Sequence, residues 1–125
     1  MLKNILLIGS GGFLGSIARY FVSKLTLYVD FLSIPVGTLA VNVLGSFILG
    51  FLVGISDKST LLSSDMRMLL MVGFCGGFTT FSTFSGENLM LMHNGQFLSV
   101  LLYTALSVVL GFAAVYFGYL TSNLL

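Results

Sequence analysis

The feature that most limits the fold is an apolar run from Val36 to Ile55 that contains no charged side chain. A helix needs roughly 20 consecutive apolar residues to cross a bilayer, and this run follows Pro35, a residue type favoured at helix starts. Comparable apolar stretches occupy most of the remaining chain. The sequence therefore predicts an all-α integral membrane protein with four transmembrane helices in a single domain, residues 1–125.

The composition narrows the class of function. Charged residues make up only 7% of the chain and the net charge is +1, which excludes a soluble globular fold and argues against a nucleic-acid partner. Cys75 and His93 are each the only residue of their type, so we expect neither an internal disulfide nor a Cys/His metal centre. Since no nucleophile, base and orienting group occur as a set, we expect no enzymatic activity.

Polar and turn-forming residues separate the predicted helices, which we place at residues 4–28, 36–55, 66–92 and 97–122. The second connection is the polar stretch 56–65, where Asp65 is a candidate N-cap for the third helix. Four helices are too few to enclose a water-filled path, so we expect a homo-oligomer.

Positive charges are spread almost evenly over the two sides of the membrane that four spans would define. Lys3, Lys58 and Arg67 fall on one side, and Arg19 and Lys24 on the other. Because positive residues normally mark the cytoplasmic side, this chain carries little orientation preference. From the charges alone, two oppositely oriented copies paired about an axis in the membrane plane, and a single orientation set by other signals, both remain open.

Small residues form stripes along two of the predicted helices. In the second helix Ser46, Gly50 and Gly54 recur every four residues, and the fourth helix carries a similar stripe of Thr104, Ser107, Gly111, Ala114 and Gly118. Small residues let helices approach closely. We interpret both stripes first as packing faces.

Polar side chains at membrane depth cost free energy unless they are paired or face water, so each is a candidate site. Asn42 offers an amide donor and acceptor, for a helix-to-helix hydrogen bond or for a ligand. Arg19 either anchors to headgroups or lines a vestibule that attracts anions. Glu87 is the only acid inside a predicted span, where pairing, gating and a solvated position are all open. Tyr103 and Ser107 place hydroxyls on one face of the fourth helix.

The most specific stretch is GFCGGFTTFSTFS, residues 73–85. Its three glycines weaken a helix, and its hydroxyls can bond the freed backbone groups. We therefore predict an interruption between Gly76 and Thr80 that breaks the third helix near its middle. Unwound backbone at membrane depth survives only inside protein or beside a cavity, and its carbonyls commonly bind a cation.

Aromatic and hydroxyl side chains alternate after the predicted interruption. Phe81 and Phe84 lie on nearly one face of the resumed helix, since residues three apart are neighbours on a helix surface. The pair is either a lipid-facing stripe or part of a wall that also carries hydroxyls, which belong to Ser82, Thr83 and Ser85.

These blocks resemble the family of fluoride channels called Fluc or CrcB. The resemblance spans the chain, with GGFLGSIARY (11–20) in the first helix, GTLAVNVLGSF (37–47) in the second and GFCGGFTTFSTFS in the third. It implies a dual-topology homodimer of antiparallel copies in the cell (cytoplasmic, inner) membrane. It further implies two pores that export cytoplasmic fluoride passively, and a structural sodium ion between the two copies.

The resemblance also assigns roles to residues. It places in the pore Asn42, Phe81, Phe84, Ser82, Thr83, Ser85, Tyr103 and Ser107. It places Arg19 and Glu87 in the vestibule. It assigns the sodium ion to the backbone carbonyls of Gly76 and Thr79 from both copies. The chain departs from some relatives beyond Ser107, where the stripe continues as Gly111 and Val115 and these relatives carry hydroxyls.

The chemistry of the residues suits this assignment better than two alternatives. Fluoride is small and strongly hydrated, so neutral donors such as Asn42 and the electropositive edges of Phe81 and Phe84 suit its passage. A small proton-coupled exporter needs a carboxylate in its substrate site, and the first two predicted spans contain no acid. A non-transporting assembly subunit would explain the glycine stripes but not Asn42 together with the phenylalanine and hydroxyl block.

Overall fold

The computed structural model describes residues 1–25, 30–58 and 60–125. The main elements in chain order are α1 Leu2–Leu25, β1 Asp30–Phe31, β2 Ile34–Pro35, α2 Val36–Lys58, α3 Ser64–Arg67, a π-helical segment Met68–Cys75, α4 Gly76–Phe78, α5 Phe81–His93 and α6 Phe97–Thr121. A 3-10 turn, Ser122–Leu124, follows α6, and β1 and β2 pair antiparallel. The predicted end of the first helix at residue 28 lies outside the described residues.

Within the described ranges, four helical stretches are long and apolar enough to cross a membrane. They are Leu2–Leu25, Val36–Lys58, Ser64–His93 and Phe97–Leu124. This agrees with the predicted all-α membrane fold, and a short antiparallel ribbon of β1 and β2 precedes α2.

Glycines bring α1 against the first half of the third span. A Cβ added at Gly11 would lie against the carbonyl oxygen of Leu69, and a Cβ added at Gly77 would lie against the main chain of Gly12. Such close approach leaves no room for side chains between the two backbones. The glycines of α1 therefore fix the position of the π-helical segment and of α4.

A second glycine contact joins α2 to α6, two helices that pack extensively against each other. A Cβ at Gly50 would meet the carbonyl oxygen of Val115, and a Cβ at Gly118 would meet that of Phe47. The contacts between α2 and α6 thus fix the position of α2, whose Asn42 side chain extends to the third span.

The predicted start of the third helix was wrong. Ser63, not Asp65, is the N-cap: its backbone is extended (φ −62°, ψ 162°) and its hydroxyl accepts from the Met66 N–H at 3.2 Å. Asp65 lies in the first helical turn, where its carboxylate pairs with Lys3 Nζ at 2.6 Å. The helix is thus capped two residues earlier than predicted, because a serine with an extended backbone places its hydroxyl within reach of a free N–H of the first turn.

Candidate functional site

Two threonines separate α4 from α5. Thr79 (φ −79°, ψ 158°) and Thr80 (φ −151°, ψ 117°) are both extended, so neither belongs to a helix. Thr80 caps α5, since its hydroxyl accepts from the Thr83 N–H at 3.3 Å. The extended pair frees backbone groups that a continuous helix would have paired internally.

The side chain of Asn42 pairs with the backbone at this point. Its Nδ2 donates to the Thr80 carbonyl at 3.0 Å, and the Thr80 N–H donates to its Oδ1 at 2.8 Å. Thr80 is buried, so these bonds satisfy both of its main-chain groups away from water. A side-chain amide has two hydrogens on nitrogen, so Asn42 keeps a second N–H in a fixed orientation.

Two carbonyls in the interruption lack their helical donors. In a continuous helix the Gly76 carbonyl would accept from the Thr80 N–H, which instead donates to Asn42. The Thr79 carbonyl would accept from the Thr83 N–H, which instead donates to the Thr80 hydroxyl. Neutral carbonyl oxygens of this kind are suitable ligands for a hard cation. The carbonyls of Gly76 and Thr79 therefore fit their predicted role as sodium ligands.

A pocket of about 280 Å³ opens beside the interruption. Its wall includes Asn42, Ser46, Cys75, Thr79, Thr80 and Phe81. Phe81 is 79% exposed, and its ring centroid lies 5.7 Å from that of Phe84. The pocket therefore combines an amide, hydroxyls and one uncovered aromatic ring.

Phe84 connects this wall to Glu87, a half-buried carboxylate that accepts two hydrogen bonds. Its ring meets the ring of Tyr103 edge-on at 4.9 Å. Glu87 accepts from the Tyr103 hydroxyl at 2.6 Å and from the Thr38 hydroxyl at 2.7 Å. Sequence reasoning missed Thr38, although it lies one helical turn before Asn42 on the same face of α2.

Arg19 lies on the other side of the interruption. Its Nη1 donates to the Thr79 carbonyl at 3.5 Å. A pocket of about 290 Å³ beside it has hydroxyl-bearing walls, with Ser16, Tyr20, Ser23, Thr38, Thr80 and Thr83, and Val41 as well. Because Arg19 is the sole charged residue among these lining residues, the pocket favours an anion.

The other residues predicted for the pore, Ser82, Thr83, Ser85 and Ser107, lie in different surroundings. The Thr80 hydroxyl donates to that of Thr83 at 3.1 Å and lies 3.4 Å from that of Ser82, so both belong to the cap of α5. Ser85 is exposed. Ser107 lines a separate pocket between α2 and α6, and its buried hydroxyl has no hydrogen-bond partner within the described ranges.

The sequence matches the family described as CrcB-like protein, Camphor Resistance (CrcB), over residues 6–119. A protein of Azobacteroides pseudotrichonymphae named "Fluoride-specific ion channel FluC" is 44% identical over 123 residues, 98% of this chain and 98% of that protein. A protein of the same name from Chlorobaculum tepidum is 47% identical over 99% of this chain and 98% of its own length. Another, from Leptospira interrogans, is 47% identical over 89% of each chain.

These findings confirm the family resemblance, and the four apolar spans together with channel relatives identify a multi-pass membrane protein. The names of the relatives describe ion channels and not enzymes, in agreement with the expectation that this chain is not an enzyme. The matched residues, 6–119, span the interruption and the helices on either side of it. The chain belongs to the CrcB-like family.

Proposed function

We propose that the protein is a fluoride-selective channel that lets fluoride leave the cytoplasm passively across the inner membrane. One observation carries the proposal: Asn42 is held by two hydrogen bonds against Thr80, beside a pocket that also exposes Phe81. The names of relatives more than 40% identical to this chain supply the identity of the ion.

The fixed amide suits a strongly hydrated anion. A pore must replace the hydration shell with donors, yet bind weakly enough for the ion to leave. Asn42 offers its second N–H without a full charge, and its two bonds to Thr80 keep it from turning away. Since the donor is already oriented, little reorganisation accompanies entry of the ion.

The aromatic rings contribute a second kind of contact. Ring edges are electropositive, so an anion at the edge of Phe81 or Phe84 is attracted without a strong bond. The exposed ring of Phe81 has little cover within one chain. An uncovered ring beside a pocket with polar walls supports a pore that a second copy completes. Ser82, Thr83 and Ser85 lie on the same helix as Phe81 and would add hydroxyls to this pore.

The polar track continues on α6. Tyr103 and Ser107 are one turn apart, and Tyr103 holds Glu87 through its hydroxyl. Because Glu87 already accepts from Thr38 and Tyr103, we assign it to the vestibule wall and the ring of Tyr103 to support of Phe84. Arg19, in its hydroxyl-lined pocket, raises the local concentration of anions at the vestibule.

The proposal includes an antiparallel homodimer with a structural sodium ion. The even distribution of positive residues supports insertion in both orientations. The carbonyls of Gly76 and Thr79 would hold the ion, together with the same two carbonyls of the second copy. These four oxygens would offset the repulsion between the ion and the guanidinium of Arg19, which lies near the Thr79 carbonyl. A bound sodium ion would supply a fixed positive charge between the two copies.

A fluoride electrode tests the proposal on purified protein in liposomes. Vesicles are loaded with potassium fluoride, kept at equal pH on both sides, and efflux begins when valinomycin is added. We expect fast fluoride loss, while vesicles loaded with potassium chloride retain their anion. A constant internal pH during fluoride loss separates a channel from a proton-coupled exporter, because coupled transport would move protons together with the substrate. Retention of fluoride by vesicles that contain folded dimer would contradict the proposal.

A further inference from the structure

Two pockets of the structure meet at Ser46. The first is the pocket beside the interruption, whose wall includes Asn42 and Phe81. The second, of about 240 Å³, lies between α2 and α6 and is lined by Ser46, Ser107, Val108, Gly111, Phe112 and Val115. Ser46 belongs to both walls, so its position on α2 connects the amide of Asn42 with the hydroxyl of Ser107.

The second pocket contains a polar group without a partner. The Ser107 hydroxyl oxygen is buried and forms no hydrogen bond in the part of the chain that the structure describes. An unpaired buried hydroxyl is unfavourable, particularly at membrane depth where no water replaces the missing bond. A polar species that enters this pocket would satisfy it.

The side chain of Ser46 faces the space that Gly111 leaves. The nearest atom of another element to a Cβ added at Gly111 is Ser46 Oγ, at 3.9 Å. The fourth helix carries no hydroxyl at Gly111 or Val115, so α2 supplies the hydroxyl at this level from the opposite wall. Ser46 was interpreted from the sequence as part of a packing face, and its place in the walls of both pockets gives it a second role.

We propose that Ser46 contacts fluoride directly and transfers it between the Asn42 pocket and the Ser107 pocket. This inference rests on the proposed channel function and adds a conducting residue on α2. A serine hydroxyl in a helix can donate to the carbonyl one turn earlier, here that of Asn42, or rotate to donate to a ligand. Ser46 therefore provides a neutral donor that is available when the ion passes and is satisfied by its own helix when the ion has left.

Three substitutions separate the hydroxyl from the shape of the side chain. Ser46→Ala and Ser46→Val remove the donor, whereas Ser46→Thr keeps it and has nearly the shape of valine. In the valinomycin assay we expect initial fluoride efflux to fall roughly tenfold or more in the alanine and valine variants, because one hydrogen bond to the ion in transit is lost. We expect the threonine variant to retain most of the wild-type rate.

Ser10→Ala is the matched control, since Ser10 is exposed on α1 and its hydroxyl donates to its own helix at Leu7. Its efflux should equal that of the wild type. Equal rates in Ser46→Ala and the wild type would overturn the inference while leaving the channel function in place. Equal loss in Ser46→Thr and Ser46→Val would also overturn it, because shape and not the hydroxyl would then be responsible. Absence of flux in the wild type itself would instead contradict the channel function.

Discussion

Asn42 and Thr80 are joined by two hydrogen bonds, from Nδ2 to the Thr80 carbonyl at 3.0 Å and from the Thr80 N–H to Oδ1 at 2.8 Å. The side-chain amide thus pairs with the main chain as a neighbouring peptide group would. Because Thr80 is the N-cap of α5, its buried N–H has no acceptor within that helix and depends on Asn42. A single side chain on α2 therefore stabilises the interruption and is itself held in place by it.

Removal of this amide is expected to destabilise the fold. Asn42→Ala leaves the buried N–H of Thr80 unpaired, and a buried unpaired group costs about 1–3 kcal/mol. We expect the free energy of unfolding to fall by about 1–3 kcal/mol. Thermal unfolding in detergent measures the change, with Asn4→Ala at the exposed start of α1 as control. Equal stability of the two variants would contradict the assigned role of the amide.

The close contact of α1 with the third span predicts a difference between two glycines of the same helix. A Cβ at Gly15 would lie against the carbonyl oxygen of Phe74, whereas a Cβ at Gly9 meets nothing within 4 Å. Gly15→Ala should destabilise the protein by about 1–3 kcal/mol through overpacking. Gly9→Ala should be neutral or slightly stabilising, since alanine favours a helix over glycine. The yield of folded protein and its unfolding midpoint, compared between the two variants, measure this difference; similar losses would argue against the contact.

The hydrogen bond from Tyr103 to Glu87 predicts a loss of stability when only the hydroxyl is removed. Tyr103→Phe keeps the ring against Phe84 but leaves Glu87 with one donor fewer. A hydrogen bond to a charged group contributes about 1.5–3 kcal/mol, and we expect a loss in this range. Tyr116→Phe is the control, because Tyr116 is 61% exposed. Unfolding of the two variants in parallel measures the loss, and equal stability would contradict the bond.

The charge of Arg19 predicts an effect of salt on transport. In Arg19→Gln the hydroxyl-lined pocket around residue 19 loses its cation, so fewer anions collect at the vestibule. We expect severalfold slower fluoride efflux at low ionic strength, and a smaller difference at high salt because salt screens the charge. The matched control is Lys24→Gln. It removes the same charge from a lysine at the end of α1 whose ammonium group lies over the ring of Tyr20. A loss of rate in Arg19→Gln that does not change with salt would contradict the electrostatic explanation.

The sequence predicted the elements that depend on local composition. Apolar length alone is enough to place the spans, because the bilayer fixes how many residues a helix needs. Glycines followed by hydroxyls predicted an interruption between Gly76 and Thr80, and the extended residues Thr79 and Thr80 fall within that interval.

Features that depend on contacts between helices were not predictable in this way. The π-helical segment Met68–Cys75 carries no periodic signal of its own, and it lies where glycines of α1 approach its backbone. Thr38 and Ser46 looked like ordinary small residues of a packing helix. Their roles emerge only when α5 places Glu87 beside Thr38 and α6 places Gly111 opposite Ser46.

Fluoride efflux through Phe81→Ile is the most direct test of a pore along the Asn42 pocket. Phe81 is 79% exposed within one chain, so isoleucine should leave its fold intact while it removes the electropositive ring edge. The matched control is Phe13→Ile, on a phenylalanine of α1 that is 66% exposed. We predict roughly a tenfold or greater fall in initial efflux for Phe81→Ile, with an unchanged oligomeric state, and wild-type efflux for Phe13→Ile. Wild-type efflux through Phe81→Ile would contradict a pore at this site.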